Sequence, residues 1–457
     1  MSENTPAAGP LPVVVVGAGP IGLAAAAHLL EQGLEPLVLE AGSRAGTSVR
    51  AWGHVRLFSA WSELVDPAAA RLLAATGWQH PEPKRYPTGA EWAELYLQPL
   101  ADALGERVRY GTTVIGAARR GRDRVVDSGR EDQPFTLHTR NADGTEHRLT
   151  AAAIVDASGT VSGPGPLGSD GLPAAGERAL ADRISYLAPA TADPAVRARH
   201  AGRRTAVVGS GHSALTALVT LAELAKDEPG TTAVWVLRRG AVGSAFGGGD
   251  ADQLPARGAL GLRAKEAVAA GHAEVVQGFR TEAVETDGDQ LVLVADDGRR
   301  IEHLDEVIGL TGFRPDHTWT SELRLGLDER LQAPVKLAPL IDPNQHSCGT
   351  VYPHGATELA HPEEGVYLAG MKSYGRAPTF LAMTGYEQVR SIAAALAGDH
   401  DAAARVELTL PDTGVCGGAG LFAEPESAQG DGGGCCSVPA PEVLTIGIGA
   451  PAPTGGC

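Results

Sequence analysis

Two glycine-rich turns are the residues whose types and spacing predict chemistry in this sequence. The first, Gly17-Ala18-Gly19-Pro20-Ile21-Gly22, fits a pattern with three roles: its first glycine makes a tight turn, its second lets the backbone approach a pyrophosphate, and its third lets a helix pack on a strand. The second, Gly209-Ser210-Gly211-His212-Ser213-Ala214, has the same spacing with a small alanine in the third position. Both turns predict a dinucleotide whose phosphates lie at a helix N-terminus.

The residues at the end of the second predicted strand of each unit differ in charge. Glu40 stands 23 residues after Gly17, where a carboxylate can accept hydrogen bonds from both ribose hydroxyls of a dinucleotide. Arg238 and Arg239 take the corresponding place in the second unit, and a guanidinium suits the 2′-phosphate of NADPH. An exposed basic pair on a loop is the alternative interpretation. The pattern predicts FAD at the first turn and NADPH at the second.

Predicted strands and helices stand where they can position both turns. Each turn follows a short apolar, β-branched run and precedes an Ala/Leu-rich helix, and a second strand follows. The predicted elements are 11–16, 21–30 and 36–40 for the first unit and 204–208, 213–226 and 233–237 for the second. Strand–helix–strand order implies a parallel sheet, so the predicted fold class is α/β with two Rossmann-like domains.

Composition excludes several classes of partner. The formal charge of −17 argues against a nucleic acid or an anionic membrane, because both bind basic surfaces. No apolar run reaches the roughly 20 residues that span a bilayer, and the first ten residues lack a signal peptide's basic start. We therefore expect a cytoplasmic protein that acts on a small-molecule substrate. The oligomeric state stays open, a homodimer included.

The chain resembles the two-dinucleotide-binding-domain flavoproteins, which include flavin monooxygenases, thioredoxin reductase and glutathione reductase. Beyond the two turns, the resemblance rests on Asp156-Ala157-Ser158-Gly159-Thr160 and Gly309-Leu310-Thr311-Gly312, which are similar to the motifs where such chains cross between domains. It covers about residues 1–400. The stretch 365–371 is similar to the family's late FAD motif, which ends in Gly-Asp, but here Gly370 is followed by Met371.

The resemblance implies a domain plan and a set of cofactor contacts. The NADPH domain is inserted in the FAD domain: 1–165 is the first part of the FAD domain, 166–315 the NADPH domain, 316–410 the second part, and 411–457 a flexible Cys/Gly-rich tail. A helix beginning at Pro378 should aim its N-terminus at the flavin. The expected FAD contacts are Gly17, Gly19, Pro20, Gly22, Glu40, Thr47, Trp52, Arg56, Gly159, Gly370 and Thr379. The expected NADPH contacts are Gly209, Ser210, Gly211, His212, Ser213, Arg238 and Arg239.

The electron acceptor decides the function, because reduction of FAD by NADPH is common to the whole family. Disulfide reductases need a cysteine pair beside the flavin, and residues 41–64 and 200–310 contain no cysteine. Oxygen therefore becomes the attractive acceptor, although residues 161–203 lack the Phe-x-Gly-x-x-x-His fingerprint of many flavin monooxygenases. Lys372 and Arg376 are candidates to hold an anion, and an exposed basic loop is the alternative.

A narrower resemblance concerns the flavin monooxygenases encoded in actinobacterial arsenic-resistance operons. It rests on Val351-Tyr352-Pro353-His354-Gly355, on residues 371–380, on Thr384-Gly385-Tyr386-Glu387-Gln388 and on Gly414-Val415-Cys416-Gly417-Gly418. The resemblance implies an oxygen-dependent reaction on trivalent arsenic or another thiophilic substrate.

Four of the five cysteines lie in residues 416–457. Cys416, Cys435 and Cys436 could form a catalytic relay or a site for arsenic or a soft metal, because thiolates select soft ions. The tail resembles the vicinal-cysteine C-terminus of mercuric reductase, and inert thiols are the alternative. Three functions stay open: a monooxygenase, a dithiol or metal-ion reductase that uses the tail cysteines, and a soft-metal-binding or redox-sensing flavoprotein with little turnover.

Overall fold

The strands form two parallel sheets, each backed by a small antiparallel sheet. The structure is a computed structural model that describes residues 10–239, 242–249, 252, 254–345, 353–378 and 380–408. All described residues belong to one compact part of the chain, Met1–Glu424, which contains both nucleotide-binding units. Their strands are β1 Val13–Val16, β2 Pro36–Leu39, β3 Val108–Arg109, β4 Thr112–Arg119, β5 Phe135–Asn141, β6 Glu146–Ala151, β7 Ala153–Asp156, β8 Ile184–Ser185, β9 Arg204–Val208, β10 Thr232–Leu237, β11 Ala273–Gln277, β12 Thr281–Asp287, β13 Gln290–Ala295, β14 Arg300–Leu304, β15 Glu306–Gly309 and β16 Val366–Leu368.

The helices of the same residues connect these strands. They are α1 Pro20–Glu31, α2 Thr47–Ala51, α3 Trp61–Leu64, α4 Pro67–Ala74, α5 Gly89–Trp92, α6 Gln98–Leu104, α7 Pro194–His200, α8 His212–Asp227, α9 Val242–Ala245, α10 Pro255–Ala269, α11 Ala338–Ile341, α12 Ala356–Leu359, α13 Met371–Tyr374, α14 Ala382–Leu396 and α15 His400–Ala404. A π-helical stretch, Ala93–Leu97, joins α5 to α6. None of these helices is both long enough and apolar enough to cross a membrane.

Sheet I has the strand order β16-β7-β1-β2-β3, and all its pairs are parallel. Alternate residues of β1 point to opposite faces. Val13 and Val15 pack in one core with α1, α4 and α14, whereas Val14 and Val16 pack against the antiparallel sheet β4-β5-β6. Both faces are buried, which explains why β1 is a continuous run of valines rather than an alternating pattern.

Sheet II repeats this construction with the order β11-β10-β9-β15-β8. Val207 and Trp235 pack with α8 and α10 on one face, and Val208 and Val236 pack against the antiparallel sheet β12-β13-β14 on the other. Its strands lie between β7 and β16 of sheet I in the sequence. The α/β prediction with parallel sheets is confirmed, and the division at residues 165, 315 and 410 stays a prediction.

Two crossovers, residues 157–165 and 310–316, join the sheets and run beside each other. The Gly165 N–H donates to the Gly312 carbonyl and the Arg314 N–H to the Gly163 carbonyl, each at 2.7 Å. The two connections therefore form a short antiparallel ribbon at the place where the sequence predicted passage between domains.

The prediction that the last long helix begins at Pro378 was wrong. Leu381 is extended, with φ −106° and ψ 143°, and α14 begins at Ala382. The Phe380 ring packs edge-on against the Tyr374 ring, with 4.9 Å between centroids. Its partner Tyr374 belongs to α13, a short helix that the sequence did not predict.

Candidate functional site

The first turn has the geometry that its glycines predict. Gly17 has φ +101°, which favours glycine, and a Cβ there would lie 2.9 Å from the Ala157 carbonyl oxygen. A Cβ on Gly22 would lie 1.9 Å from the Gly17 carbonyl oxygen, so only glycine lets α1 pack this close to the turn. A Cβ on Gly19 would meet no atom within 4 Å, and Pro20 follows as the first residue of α1. The turn fits a dinucleotide pyrophosphate at the N-terminus of α1.

Glu40 holds the first turn from the end of β2. Its side chain is buried, and its Oε2 accepts a hydrogen bond from the Ala18 N–H at 2.7 Å while Oε1 accepts one from the Gly42 N–H at 2.8 Å. A carboxylate oxygen carries two lone pairs, so each oxygen keeps one for a further donor. The contact with ribose hydroxyls stays a prediction that this arrangement fits.

Thr47, Trp52 and Arg56 lie on the segment after β2, and each contacts a neighbouring part of that region. The Thr47 hydroxyl donates to the Arg44 carbonyl at 2.8 Å, and the exposed Arg56 guanidinium donates to the Tyr86 carbonyl. Trp52 is partly buried, and a Cβ on Gly89 would lie 2.7 Å from its ring. These contacts show Trp52 packing within its own domain; the predicted roles of all three toward FAD stay predictions.

Gly159 and Gly370 both have positive φ, +72° and +69°. A Cβ on Gly370 would lie 2.9 Å from Cγ1 of Ile21, so the segment after β16 rests directly on the start of α1. The Gly370 N–H donates to Oε1 of the fully buried Gln388 at 2.8 Å. Gln388 therefore fastens α14 to the late motif, a role that no local pattern indicated. Thr379 lies outside the described residues.

The second turn is built like the first. Gly209 has φ +135°, and a Cβ there would lie 2.2 Å from the Leu310 carbonyl oxygen. Ala214, in the third position, is completely buried where α8 meets the turn, and this placement fits the small residue that the pattern permits there. The intervening residues of the turn are exposed, and they are Ser210, Gly211, His212 and Ser213.

Arg238 and Arg239 stand after β10, at the edge of sheet II that carries the second turn. Arg238 is exposed, and its Nη1 donates to the Ser169 carbonyl at 2.7 Å; Arg239 is partly buried. Both residues are at the place that the sequence predicted for recognition of the 2′-phosphate. That recognition stays a prediction.

A loop of the first unit reaches the second turn. The ring centroids of Phe58 and His212 are 5.3 Å apart with 70° between the planes, an edge-to-face contact. His54 lies on the same loop, where partial burial lowers the pKa of its imidazole while a contact with the Ala188 backbone acts in the opposite direction. Neither contact could be predicted from local sequence, because the two partners of each contact lie more than 100 residues apart.

For Lys372, the alternative of an exposed basic loop was wrong. Only 1% of its side chain is exposed, and Nζ lies 2.9 Å from Oδ2 of Asp156, which is completely buried. Arg376, by contrast, is exposed, with its Nε donating to Oε1 of Gln332 at 3.1 Å. Protein atoms already surround the Lys372 ammonium, so it offers no surface to an anionic substrate.

Two histidines lie close to this ion pair. Burial lowers the pKa of His317, and the positive charge of Lys372 lowers it further against the opposite effect of Asp156. Burial lowers the pKa of His361 to about 4. Both rings are therefore neutral at pH 7.

The predicted thiol site lies outside the described residues, because Cys416, Cys435 and Cys436 belong to the segment 409–457. Among the residues that are described, no group of three or more His, Cys, Asp or Glu side chains is placed to hold a metal ion.

Comparison with known proteins supports an FAD-linked fold. Residues 12–89 match the family model described as FAD dependent oxidoreductase (DAO). No curated protein matches the sequence. The structure is similar to bacillithiol disulfide reductase Bdr from Bacillus cereus, with 20% identity, a TM-score of 0.62, and coverage of 85% of this chain and 99% of that chain.

Two monooxygenase structures are similar as well. The cadaverine monooxygenase of desferrioxamine biosynthesis from Erwinia amylovora has 14% identity and a TM-score of 0.59 over 88% of this chain and 99% of that chain. The flavin-containing monooxygenase from Stenotrophomonas maltophilia has 21% identity and a TM-score of 0.51 over 85% and 98%. At these identities the similarity concerns the fold, which reductases and monooxygenases share.

Proposed function

We propose that this protein is an FAD-dependent oxidoreductase that takes electrons from NADPH and uses oxygen to oxidise a thiophilic substrate, such as a trivalent arsenic compound. One observation carries the first half of the proposal. Two turns of the same construction follow β1 and β9, the central strands of the two parallel sheets. Glu40 follows the strand next to β1, and Arg238 follows the strand next to β9. The Phe58–His212 contact brings the two units together at the second turn.

The residues divide the work of binding. The first turn and Glu40 would hold the pyrophosphate and ribose of FAD, and the second turn with Arg238 would hold those of NADPH. FAD supplies the chemistry itself, because it accepts two electrons and passes them on. The protein contributes position, since one turn lies directly against Ala157 and the other directly against Leu310.

The choice of oxygen rests on the distribution of cysteines. All five stand at position 348 or later, so neither nucleotide-binding unit contains the dithiol that a disulfide reductase places beside its flavin. In the proposed reaction NADPH gives a hydride, which is two electrons and one proton. One atom of O2 enters the substrate, and the other leaves as water formed with that proton and a second proton from solvent. Arsenite would become arsenate. The thiols Cys416, Cys435 and Cys436 would capture the soft arsenic centre.

A spectroscopic experiment tests the proposal in steps. The purified holoprotein is mixed with NADPH without oxygen, and the absorbance near 450 nm, roughly where oxidised flavin absorbs, is followed. We expect bleaching. Oxygen is then admitted with or without arsenite, and we expect one O2 consumed and one arsenate formed per NADPH when arsenite is present. Absence of bleaching would refute the cofactor assignment, and bleaching without arsenate would refute the substrate.

The reductase alternative rests on the tail cysteines, because Cys416, Cys435 and Cys436 could take the place of the dithiol that both nucleotide-binding units lack. It predicts that NADPH is consumed without oxygen when a disulfide or a metal ion is added, and that serine at Cys416, Cys435 and Cys436 abolishes this consumption. The monooxygenase proposal predicts no anaerobic turnover beyond one reduction of the flavin.

A further inference from the structure

The ammonium group of Lys372 contacts two distant segments of the chain. Besides its ion pair with Asp156 at 2.9 Å, Nζ donates to Oγ of Ser158 at 2.9 Å and to the carbonyl oxygen of Asp316 at 2.6 Å. It also lies 5.8 Å from the centre of the Trp319 ring, within reach of a cation–π interaction. One buried cation thus contacts oxygens from two separate places in the chain, residues 156–158 and Asp316.

These places are the points where the chain leaves and re-enters sheet I. Asp156 ends β7, Ser158 begins the outgoing crossover, and Asp316 ends the returning one. The Asp156 carboxylate also accepts hydrogen bonds from the Ser158 N–H at 3.1 Å and hydroxyl at 2.6 Å. Lys372 itself follows β16 by four residues. Both crossovers are therefore fastened to sheet I by the same side chain.

The same crossover touches the first turn. The Ala157 N–H donates to the Val16 carbonyl at 3.0 Å, and the Ala157 carbonyl is the group that a Cβ on Gly17 would strike. At the other end, the returning crossover supplies the Leu310 carbonyl that a Cβ on Gly209 would strike. Each turn thus rests against one crossover, and Lys372 binds both crossovers.

Lys372 and Asp156 cannot act by touching a cofactor, because other protein atoms cover them almost completely. A buried ion pair seldom adds stability over an apolar pair of similar size, and its best-attested use is to specify one arrangement of the chain. Here the arrangement is the path of two crossovers that connect the sheets.

We propose that Lys372, together with Asp156, is a positioning residue that sets how the second turn faces the first, and thereby the rate at which NADPH reduces FAD. The predicted effect on the rate of FAD reduction rests on the proposed function. The predicted effect on the orientation of the two sheets does not, because that orientation can be measured without NADPH.

The test removes both charges at once, so that neither is left buried without a partner. In the variant Lys372→Met/Asp156→Asn we expect unchanged affinity for FAD and for NADP+, and a limiting rate of anaerobic flavin bleaching that falls by about tenfold or more, since small misplacements of reacting groups are costly. Small-angle X-ray scattering of the oxidised holoprotein should change. The control Arg199→Met/Glu306→Gln removes another ion pair, at the opposite end of β15. It should change neither the bleaching rate nor the scattering.

Three outcomes would overturn the proposal. They are a wild-type bleaching rate in the double variant, unchanged scattering, and a loss of FAD affinity that accounts for the slower rate. If the double variant does not fold, Ser158→Ala, which removes one of the three contacts, must slow bleaching without loss of FAD. If NADPH fails to bleach even the wild-type protein, the proposed function falls, and the scattering comparison still decides whether Lys372 sets the arrangement.

Discussion

Glu40 and Arg238 occupy equivalent positions after the second strands of their units, yet their surroundings differ. Both oxygens of the buried Glu40 carboxylate already accept backbone N–H groups, so the residue shapes the turn as well as offering lone pairs to a ligand. Arg238 is exposed and makes a hydrogen bond to a carbonyl at the edge of its unit. Replacing Glu40 should therefore disturb the protein without ligand, whereas replacing Arg238 should disturb mainly the ligand.

The buried imidazole of His361 predicts a dependence of stability on pH. Its pKa is lowered to about 4 in the folded protein, from 6.5 in the unfolded chain. Below pH 6.5 the unfolded chain therefore binds a proton that the folded chain does not. Stability is complete above pH 6.5 and falls as the pH drops toward 4, by at most about 3 kcal/mol from this residue.

The measurement is the free energy of unfolding by urea at pH 7 and at pH 4.5. His361→Gln, which cannot titrate in this range, should lose less stability than the wild-type protein between the two values. His147→Gln, which changes an exposed histidine on β6, should behave like the wild type. Equal pH dependence in the wild type and in His361→Gln would contradict the assignment.

At the scale of elements, the short-range pattern predicted β1, α1, β9 and α8 within one or two residues, because a buried parallel strand and a glycine turn are local signals. The start of α14 was not predictable from Pro378, whose preference for the first position of a helix is a local signal, because the backbone at Leu381 is extended. Neither was the burial of Lys372, because its partner Ser158 lies 214 residues earlier. Spacing thus predicts the two turns, while the contacts that connect them arise only from the tertiary fold.

The packing of the late motif on α1 can be tested with a matched pair of glycines. Gly370 and Gly398 both have positive φ, +69° and +81°, but a Cβ would collide with Ile21 only at Gly370. Gly370→Ala should lower the free energy of unfolding by about 2–4 kcal/mol, from backbone strain and overpacking together. Gly398→Ala should cost about 1 kcal/mol, from strain alone.

Urea unfolding and the flavin absorbance of the purified protein measure this difference. Because the collision reaches the first turn through Ile21, Gly370→Ala should also lose FAD, whereas Gly398→Ala should keep it. Similar stability and similar flavin content in the two variants would show that the late motif does not support the turn.

At the scale of the whole molecule, the net charge of −17 works against any anionic cofactor. NADPH carries one more phosphate than NADH, so the field of the protein disfavours it more, and any preference for NADPH has to come from local groups. The guanidinium after β10 is such a group, and it stands at the same edge of sheet II as the second turn. The ratio of the affinities for NADPH and NADH therefore distinguishes a local contact with Arg238 from the effect of the protein's net charge.

Arg238→Ala should weaken NADPH binding by about 10- to 100-fold, because a charge-assisted hydrogen bond contributes roughly 1.5–3 kcal/mol. Binding of NADH, which lacks the 2′-phosphate, should hardly change. Arg263→Ala on α10 removes the same charge from the molecule and should affect both cofactors equally and slightly, since Arg263 lies 3.6 Å from Glu223 on a half-exposed surface. Anaerobic bleaching rates at increasing NADPH or NADH concentration give the affinity of the wild type and of each variant for each cofactor. An equal loss for both cofactors in Arg238→Ala would assign the guanidinium a role in shaping the turn instead of recognising the 2′-phosphate.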